Sequence, residues 1–435
     1  MAITSKRSHR GLTKILGIKV RHPLNTDYFC RMEKTVPKPN FEFIALMASL
    51  MSIVALAIDT LLPAIPDIGA TIKSYDAAEH QLFVTMIFLG LGFGQLFFGP
   101  LSDQYGRKPI VYAGFVAIGI ASVICLLAPN LEVMVIGRIL QGIGLSSHRT
   151  IAIAIIRDSY KGDYMARVMS FVTAFFILVP VVAPAIGKVI LDNFNWQAIF
   201  YVHLFLGLIL WIWFWKRQVE TLKPEYKIKF SVKSFAHGAK EMLQYPETVA
   251  FTFVSGLITG AFLVYLSSAL HIFEDQYGMR EAFPYLFAAL ALSIGTSTFT
   301  NGTMVLRFGM RNLSLAATAA FSCIALTYGA LFWGAPNPNV TILVVFLFFQ
   351  FFCLGFMWGN FRSIAMEPIG HMAGIGAAIN GFVSTMISVP IASWIGWFLE
   401  DTALPLFVGL FICGFLSVAL ILLTRRKKKV VVPQT

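Results

Sequence analysis

The sequence predicts an all-α polytopic membrane protein, with twelve transmembrane helices arranged as two six-helix halves. Three observations carry that prediction. Hydrophobic residues make up 57% of the 435-residue chain and charged residues only 13%, about half the roughly 25% typical of soluble domains. The apolar content falls into twelve segments, at 41–63, 81–100, 110–128, 131–156, 168–190, 197–215, 248–271, 284–306, 313–333, 340–364, 373–398 and 404–424. Each is long enough to cross a hydrocarbon core of roughly 30 Å. One substantial polar stretch, Lys216 to Glu247, carries seven Lys or Arg and a helix-compatible middle, and it separates the sixth segment from the seventh.

The domain reading follows in chain order: a basic tail (1–40), a six-helix half (41–215), a linker (216–247), a second six-helix half (248–424) and a basic tail (425–435). The first tail holds nine Lys or Arg against Asp27 and Glu33, with prolines at 23, 37 and 39. No apolar core with a small-residue cleavage site follows closely, which argues against a cleaved signal peptide. Met32, just before the first apolar run, is a second candidate start, so residues 1–31 are read as a dispensable extension. Placing both termini in the cytoplasm puts 28 Lys or Arg on that side, against Lys73, Lys188 and Arg280 on the other. That asymmetry selects the topology. The basic residues lie in short runs between apolar segments, so topology, and not nucleic acid, accounts for the net charge of +12. The run Arg425 to Lys429 reads as a stop-transfer anchor. Five scattered cysteines show no ligand spacing.

Between the second and third segments stands Gly99-Pro-Leu-Ser-Asp-Gln-Tyr-Gly-Arg-Lys-Pro109. It reads as a tight charged gating loop: Gly99 and Gly106 permit close approach and unusual dihedrals, and Asp103 faces Arg107 and Lys108 across the turn. Gly302, Gly309 and Arg311 echo it after the eighth segment.

Asp59 lies in the first segment, four residues before Pro63. A carboxylate in hydrocarbon is costly unless protonated, paired or hydrated. Two readings stand: a helix-end residue at headgroup level, or a proton-binding carboxylate at the edge of a central cavity. Arg138, about 10 Å into the fourth segment, lies at a comparable level, and the two are expected to form a buried pair. Gln141 adjoins Arg138 on one helix face. His148 and Arg149 follow, and Arg149 returns to the face of Arg138 after eleven residues. Arg149 either completes a cavity-facing basic stripe, which favours an anionic substrate, or reaches the headgroups. In the fifth segment, Pro180, Pro184 and Gly187 form a kink, read functionally as a hinge or seal. Phe175 and Phe176 beside it are candidate apolar cavity lining. In the second half, Gln350, Asn360, Arg362 and Asn380 read as interhelical hydrogen-bond partners. No Gly-Lys-Ser or Gly-Lys-Thr phosphate loop, His-Glu-x-x-His or Cys-x-x-Cys occurs. No enzyme activity, cofactor or metal is therefore expected.

The loop at 99–109, the run Arg138-x2-Gln-Gly-x-Gly144 and the proline-rich fifth segment resemble the major facilitator superfamily of transporters. With Ile58-Asp-Thr-Leu-Leu-Pro63, Ile156-Arg-Asp158 and Ala373-Gly-Ile-Gly-Ala-Ala-Ile-Asn-Gly381, the resemblance is to the twelve-span drug:proton antiporters of the bicyclomycin-resistance (Bcr/CflA) branch, from Phe41 to Thr424. It implies a proton-driven exporter of small molecules in a bacterial inner membrane. Asp59 would be the protonatable residue, Arg138 its basic partner, and Asp103 with Arg107 a cytoplasmic latch. The chain departs from the branch in carrying Ala183-Pro184 and Gly187-Lys188 where Gly-Pro-x-x-Gly-Gly is usual, and Ile153 where an arginine is common. The expected partners are a small-molecule substrate, protons and the lipid bilayer, with the chain acting as a monomer. Two alternatives remain: a carrier of an anionic metabolite such as a polycarboxylate siderophore, and a non-transporting receptor, against which the lack of a sizeable extramembrane domain argues.

Overall fold

A computed structural model of the chain describes residues 40–74, 76–160, 162–227 and 231–427. The readings of residues 1–39 and of the tail beyond Lys427 fall outside them. The described residues form α1 (Phe41–Asp59), α2 (Ile65–Ile72), α3 (Ala77–Tyr105), α4 (Arg107–Leu126), α5 (Leu131–Ser159), α6 (Gly162–Asn193) and α7 (Trp196–Arg217). After the linker come α8 (Val232–Met242), α9 (Pro246–His271), α10 (Phe283–Phe308), α11 (Met310–Phe332), α12 (Val340–Met366), α13 (Ala373–Trp397) and α14 (Leu404–Lys427). Twelve helical stretches are long and apolar enough to span a membrane, with α1 and α2 sharing the first. Helices satisfy every backbone donor and acceptor internally, which lipid demands of a spanning segment.

Several helix starts are written in short polar residues. Asn40, Asp76, Asn130, Asn195 and Asn339 each accept a backbone N–H from the first turn of the helix that follows, at 2.8 to 3.1 Å. Such caps satisfy orphan donors and contribute about 1 kcal/mol each. Twelve crossings bring Asn40 and Lys427 to one face of the bundle, here the terminal face; Pro63, Lys188 and Arg280 lie at the far face.

The stretch at 99–109 is not a loop. Helix α3 continues through Pro100 to Tyr105, and α4 begins at Arg107, so one residue, Gly106 at φ 112°, makes the whole joint. Gly309, at φ 76°, joins α10 to α11 in the same way. A side chain at either position would be strained. The linker is also more ordered than its polarity suggests. Helix α8 packs Phe235, Ala239 and Met242 against Ile369 and Ile379 of the second half.

The two halves converge at the far face. Lys188 pairs with Glu281 at 3.1 Å, Arg280 with Asp67 at 3.4 Å, and Gln81 donates to the Gly396 carbonyl at 2.9 Å. Deeper in, α3 meets α13 through Phe93 and Phe382, with ring centroids 5.4 Å apart, and through Gly92 against Thr385. The halves are thus tied at the far face.

Candidate functional site

Asp59 is the last residue of α1 and is buried, at 4% exposure. Pro63 is the second residue of a short 3-10 turn (Leu62–Ala64) and Pro66 lies in the first turn of α2, so the chain breaks and restarts here. Prolines lack the N–H that a continuing helix would need, and fit where a new helix begins. Among the described residues the Asp59 carboxylate has neither an ion-pair nor a hydrogen-bond partner, so it caps no helix end. In the other half stands Tyr265, the twentieth residue of α9. The Tyr265 hydroxyl is buried without a hydrogen-bond partner, and its ring packs edge-on to Phe351 with centroids 4.6 Å apart. Beside Asp59, the Thr60 hydroxyl is 2.7 Å from His203 Nε2 of α7, and Gly187 of α6 lies against the Thr60 carbonyl. A Cβ at Gly187 would strike that carbonyl, so the glycine sets how closely α6 covers the Asp59 turn. Helix α6 runs without interruption through both Pro180 and Pro184.

Arg138 does not close the expected pair with Asp59. It is fully buried, and its Nε donates to the Phe83 carbonyl at 2.7 Å. Nη1 donates to the Ala57 carbonyl at 3.3 Å and to Gln141 Oε1 at 2.6 Å, and Gln141 in turn reaches Ser122 at 3.3 Å. The guanidinium thereby ties α5 to α3 and α1, with Gln141 adding α4. It matches carbonyl dipoles two residues before Asp59, because α1, α3 and α5 converge there. Gln141 is spent in this cluster and does not line a cavity. His148 also turns inward: it is fully buried, 4.2 Å edge-on to the Phe115 ring, with Nδ1 near Ser147 Oγ and the Gly144 carbonyl. Neighbours in a helix point about 100° apart, so Arg149 parts company with it. Arg149 is half-buried, with its guanidinium 6.0 Å from the Phe176 ring, and no carboxylate pairs with it among the described residues. Phe175 is 44% exposed.

At the terminal face, Arg107 Nη1 holds Asp103 at 2.6 Å and Nε holds Asp158 at 2.9 Å, bracing α3, α4 and α5 together. Glu220, from the start of the linker, accepts the backbone N–H groups of Arg107 and Lys108, both at 3.0 Å. It thereby serves as the N-terminal cap that α4 lacks in its own sequence. Burial opposes the charge on Glu220, but the backbone donors of Leu222, Arg107, Lys108 and Thr221 outweigh it and hold the carboxyl below the ordinary carboxylate range. The second joint is braced similarly, by Arg311 on Glu247 at 2.7 Å and Glu367 at 2.6 Å.

Of the polar residues in the second half, Gln350 bonds the Phe321 carbonyl, Asn360 bonds Asn301, and Asn380 bonds Thr252. Arg362 differs: it is exposed and has no such partner among the described residues. Tyr265, His203 and Glu220 were missed in the sequence reading. The signal that points to the first two is a bulky polar side chain within a long apolar helix.

The model of the Major Facilitator Superfamily matches residues 47–393. The chain belongs to this superfamily. It is a multi-pass membrane transporter and not an enzyme. It is 29% identical over 392 residues to the MFS-type transporter YdgK of Bacillus subtilis, covering 88% of this chain and 96% of that one. It is 25% identical over 410 residues to a bicyclomycin resistance protein homolog of Haemophilus influenzae, covering 90% and 98%. These likenesses agree with the Bcr/CflA branch. Among solved structures, a D-xylose-proton symporter superposes with a TM-score of 0.69 at 13% identity, covering 88% of this chain and 97% of that one. That likeness concerns the fold alone.

Proposed function

We propose that this transporter is a proton-coupled exporter of small organic molecules across a bacterial inner membrane, working by alternating access with its terminal face toward the cytoplasm. The observation that carries the reading is Asp59: a buried carboxylate with no paired counter-charge among the described residues, just before the turn where Pro63 meets Leu270 of the other half. A charged carboxylate there costs several kcal/mol unless it is neutralised. Proton uptake is the neutralising event that the surroundings allow, since Arg138 is committed to carbonyls. Charging and discharging this group changes the preference for a dry or a wet junction, which is what coupling to a rocking motion requires. The ties that close the far face support an inward-facing state. The bicyclomycin resistance homolog supports export of drug-like compounds.

The test is an imposed proton gradient across inverted vesicles, with substrate-dependent gradient dissipation as the readout. Asp59→Asn is expected to abolish dissipation while leaving the amount of folded protein unchanged. Full dissipation in Asp59→Asn would refute the assignment.

A further inference from the structure

A groove of about 480 Å³ lies between α9 and α14, at their terminal-face ends. Pro246, Val249, Ala250 and Phe253 of α9 form one wall, at the i, i+3, i+4, i+7 spacing of a single helix stripe. Leu420, Leu423 and Thr424 of α14 form the other wall, and Leu243, one residue past the end of α8, completes the lining. Leu243, Phe253 and Leu423 are exposed, whereas Ala250 is buried at the floor. Thr424 supplies the one polar side chain, and its hydroxyl donates back to the Ile421 carbonyl at 2.8 Å. A polar metabolite therefore finds no side-chain partner in the groove, while hydrocarbon gives up nothing by entering it.

Cationic residues follow the apolar walls on the terminal side. On α14, the spacing that runs through Leu420, Leu423 and Thr424 reaches Lys427, and Arg425 and Arg426 share that turn. On α8, Lys240 is exposed and precedes Leu243 by three residues. The Leu243 N–H still bonds the Ala239 carbonyl at 3.3 Å, so Lys240 and Leu243 share a helix face. Glu241, next in sequence, points about 100° away around the helix. Glu247, in the first turn of α9, is already held by Arg311 at 2.7 Å.

We propose that this groove binds one anionic phospholipid of the bilayer, with an acyl chain between α9 and α14 and the phosphate among Lys240 and the basic turn of α14. An apolar channel that ends in cations complements a molecule with a hydrocarbon tail and a negative head. Each such cation at a membrane surface contributes about fivefold in affinity. The bound lipid spans the end of the linker helix and two helices of the second half, adding to the contacts that Phe235, Ala239 and Met242 already make. The site is independent of what the protein transports.

The full chain, delipidated in detergent, is titrated with phosphatidylglycerol and with phosphatidylethanolamine of the same acyl chains, and bound lipid is counted by native mass spectrometry. One phosphatidylglycerol is expected to bind about tenfold or more tightly than phosphatidylethanolamine. Lys240→Gln, Arg425→Gln, Arg426→Gln and Lys427→Gln combined are expected to erase that preference. Val249→Trp fills the groove and keeps every charge, and is expected to erase it as well. Leu423→Trp, on the exposed wall, stands in where Val249→Trp does not fold. Equal binding of the two lipids by the unaltered chain would overturn the proposal. So would a preference that survives in the charge variant, or one that survives in the groove variant, which would assign it to charge alone.

Discussion

Arg138 and Arg149 are the same residue on the same helix, eleven positions apart and nominally on one face, yet they have opposite surroundings. Arg138 is fully buried and bonded to two backbone carbonyls and an amide, joining three helices. Arg149 is half-buried beside an aromatic ring, and no carboxylate pairs with it among the described residues. The difference teaches that periodicity finds cations sharing a helix face, while only the partner inventory separates a strut from a cation with no paired carboxylate. Arg138 holds its three acceptors through Nε and Nη1, while its Nη2 is buried without a hydrogen-bond partner.

Substitutions sharpen that contrast when read as thermal unfolding in detergent. The largest effect is expected from Arg138→Met, which strands the Phe83 and Ala57 carbonyls and Gln141, at about 3 kcal/mol or more. An Arg138→Met protein as stable as wild type would break the comparison outright. Gly187→Ala comes next. Its Cβ meets the Thr60 carbonyl, so α6 must lift from the turn that carries Asp59, at about 1–3 kcal/mol. Unchanged stability there would show that the Asp59 turn does not depend on this close contact.

Glu220→Gln is smaller, about 1 kcal/mol for a lost charged cap, reduced by exposure to solvent. Its pH dependence has a definite sign. The folded carboxyl titrates below the unfolded one, so the stabilisation is complete above the ordinary carboxylate range and is lost as pH falls through the folded value. Wild type and Glu220→Gln should therefore differ at neutral pH and converge in strong acid. Arg149→Gln should change stability least, within about 0.5 kcal/mol, because it breaks no bond. A large destabilisation would class Arg149 with Arg138.

Much of this was legible in the sequence, because lipid imposes its demands on composition. Twenty apolar residues in a row have few fates, so twelve spans and a divided chain could be read directly. The glycine joints were visible as a Gly-x6-Gly echo, although the first was taken for an eleven-residue loop. Helical polar residues between Gly99 and Tyr105 look like a turn until their hydrogen bonds are seen. Asp59, Arg138 and Arg149 were legible as exceptions in hydrocarbon. The expected pairing of the first two was not found, because depth along two helices says nothing about rotation around them.

The sequence alone determined the class of protein, the number of spans and the short list of residues that hydrocarbon does not tolerate for free. Only the tertiary structure decided which of those residues already have partners. It turned Gln141 and His148 inward, joined Thr60 to His203, and placed Glu220 on α4. The physical reason is that burial cost is a local property of each residue, whereas its relief depends on helices distant in the chain, and their packing is fixed by glycine contacts such as Gly142 on Ile87 and Gly355 on Ile294.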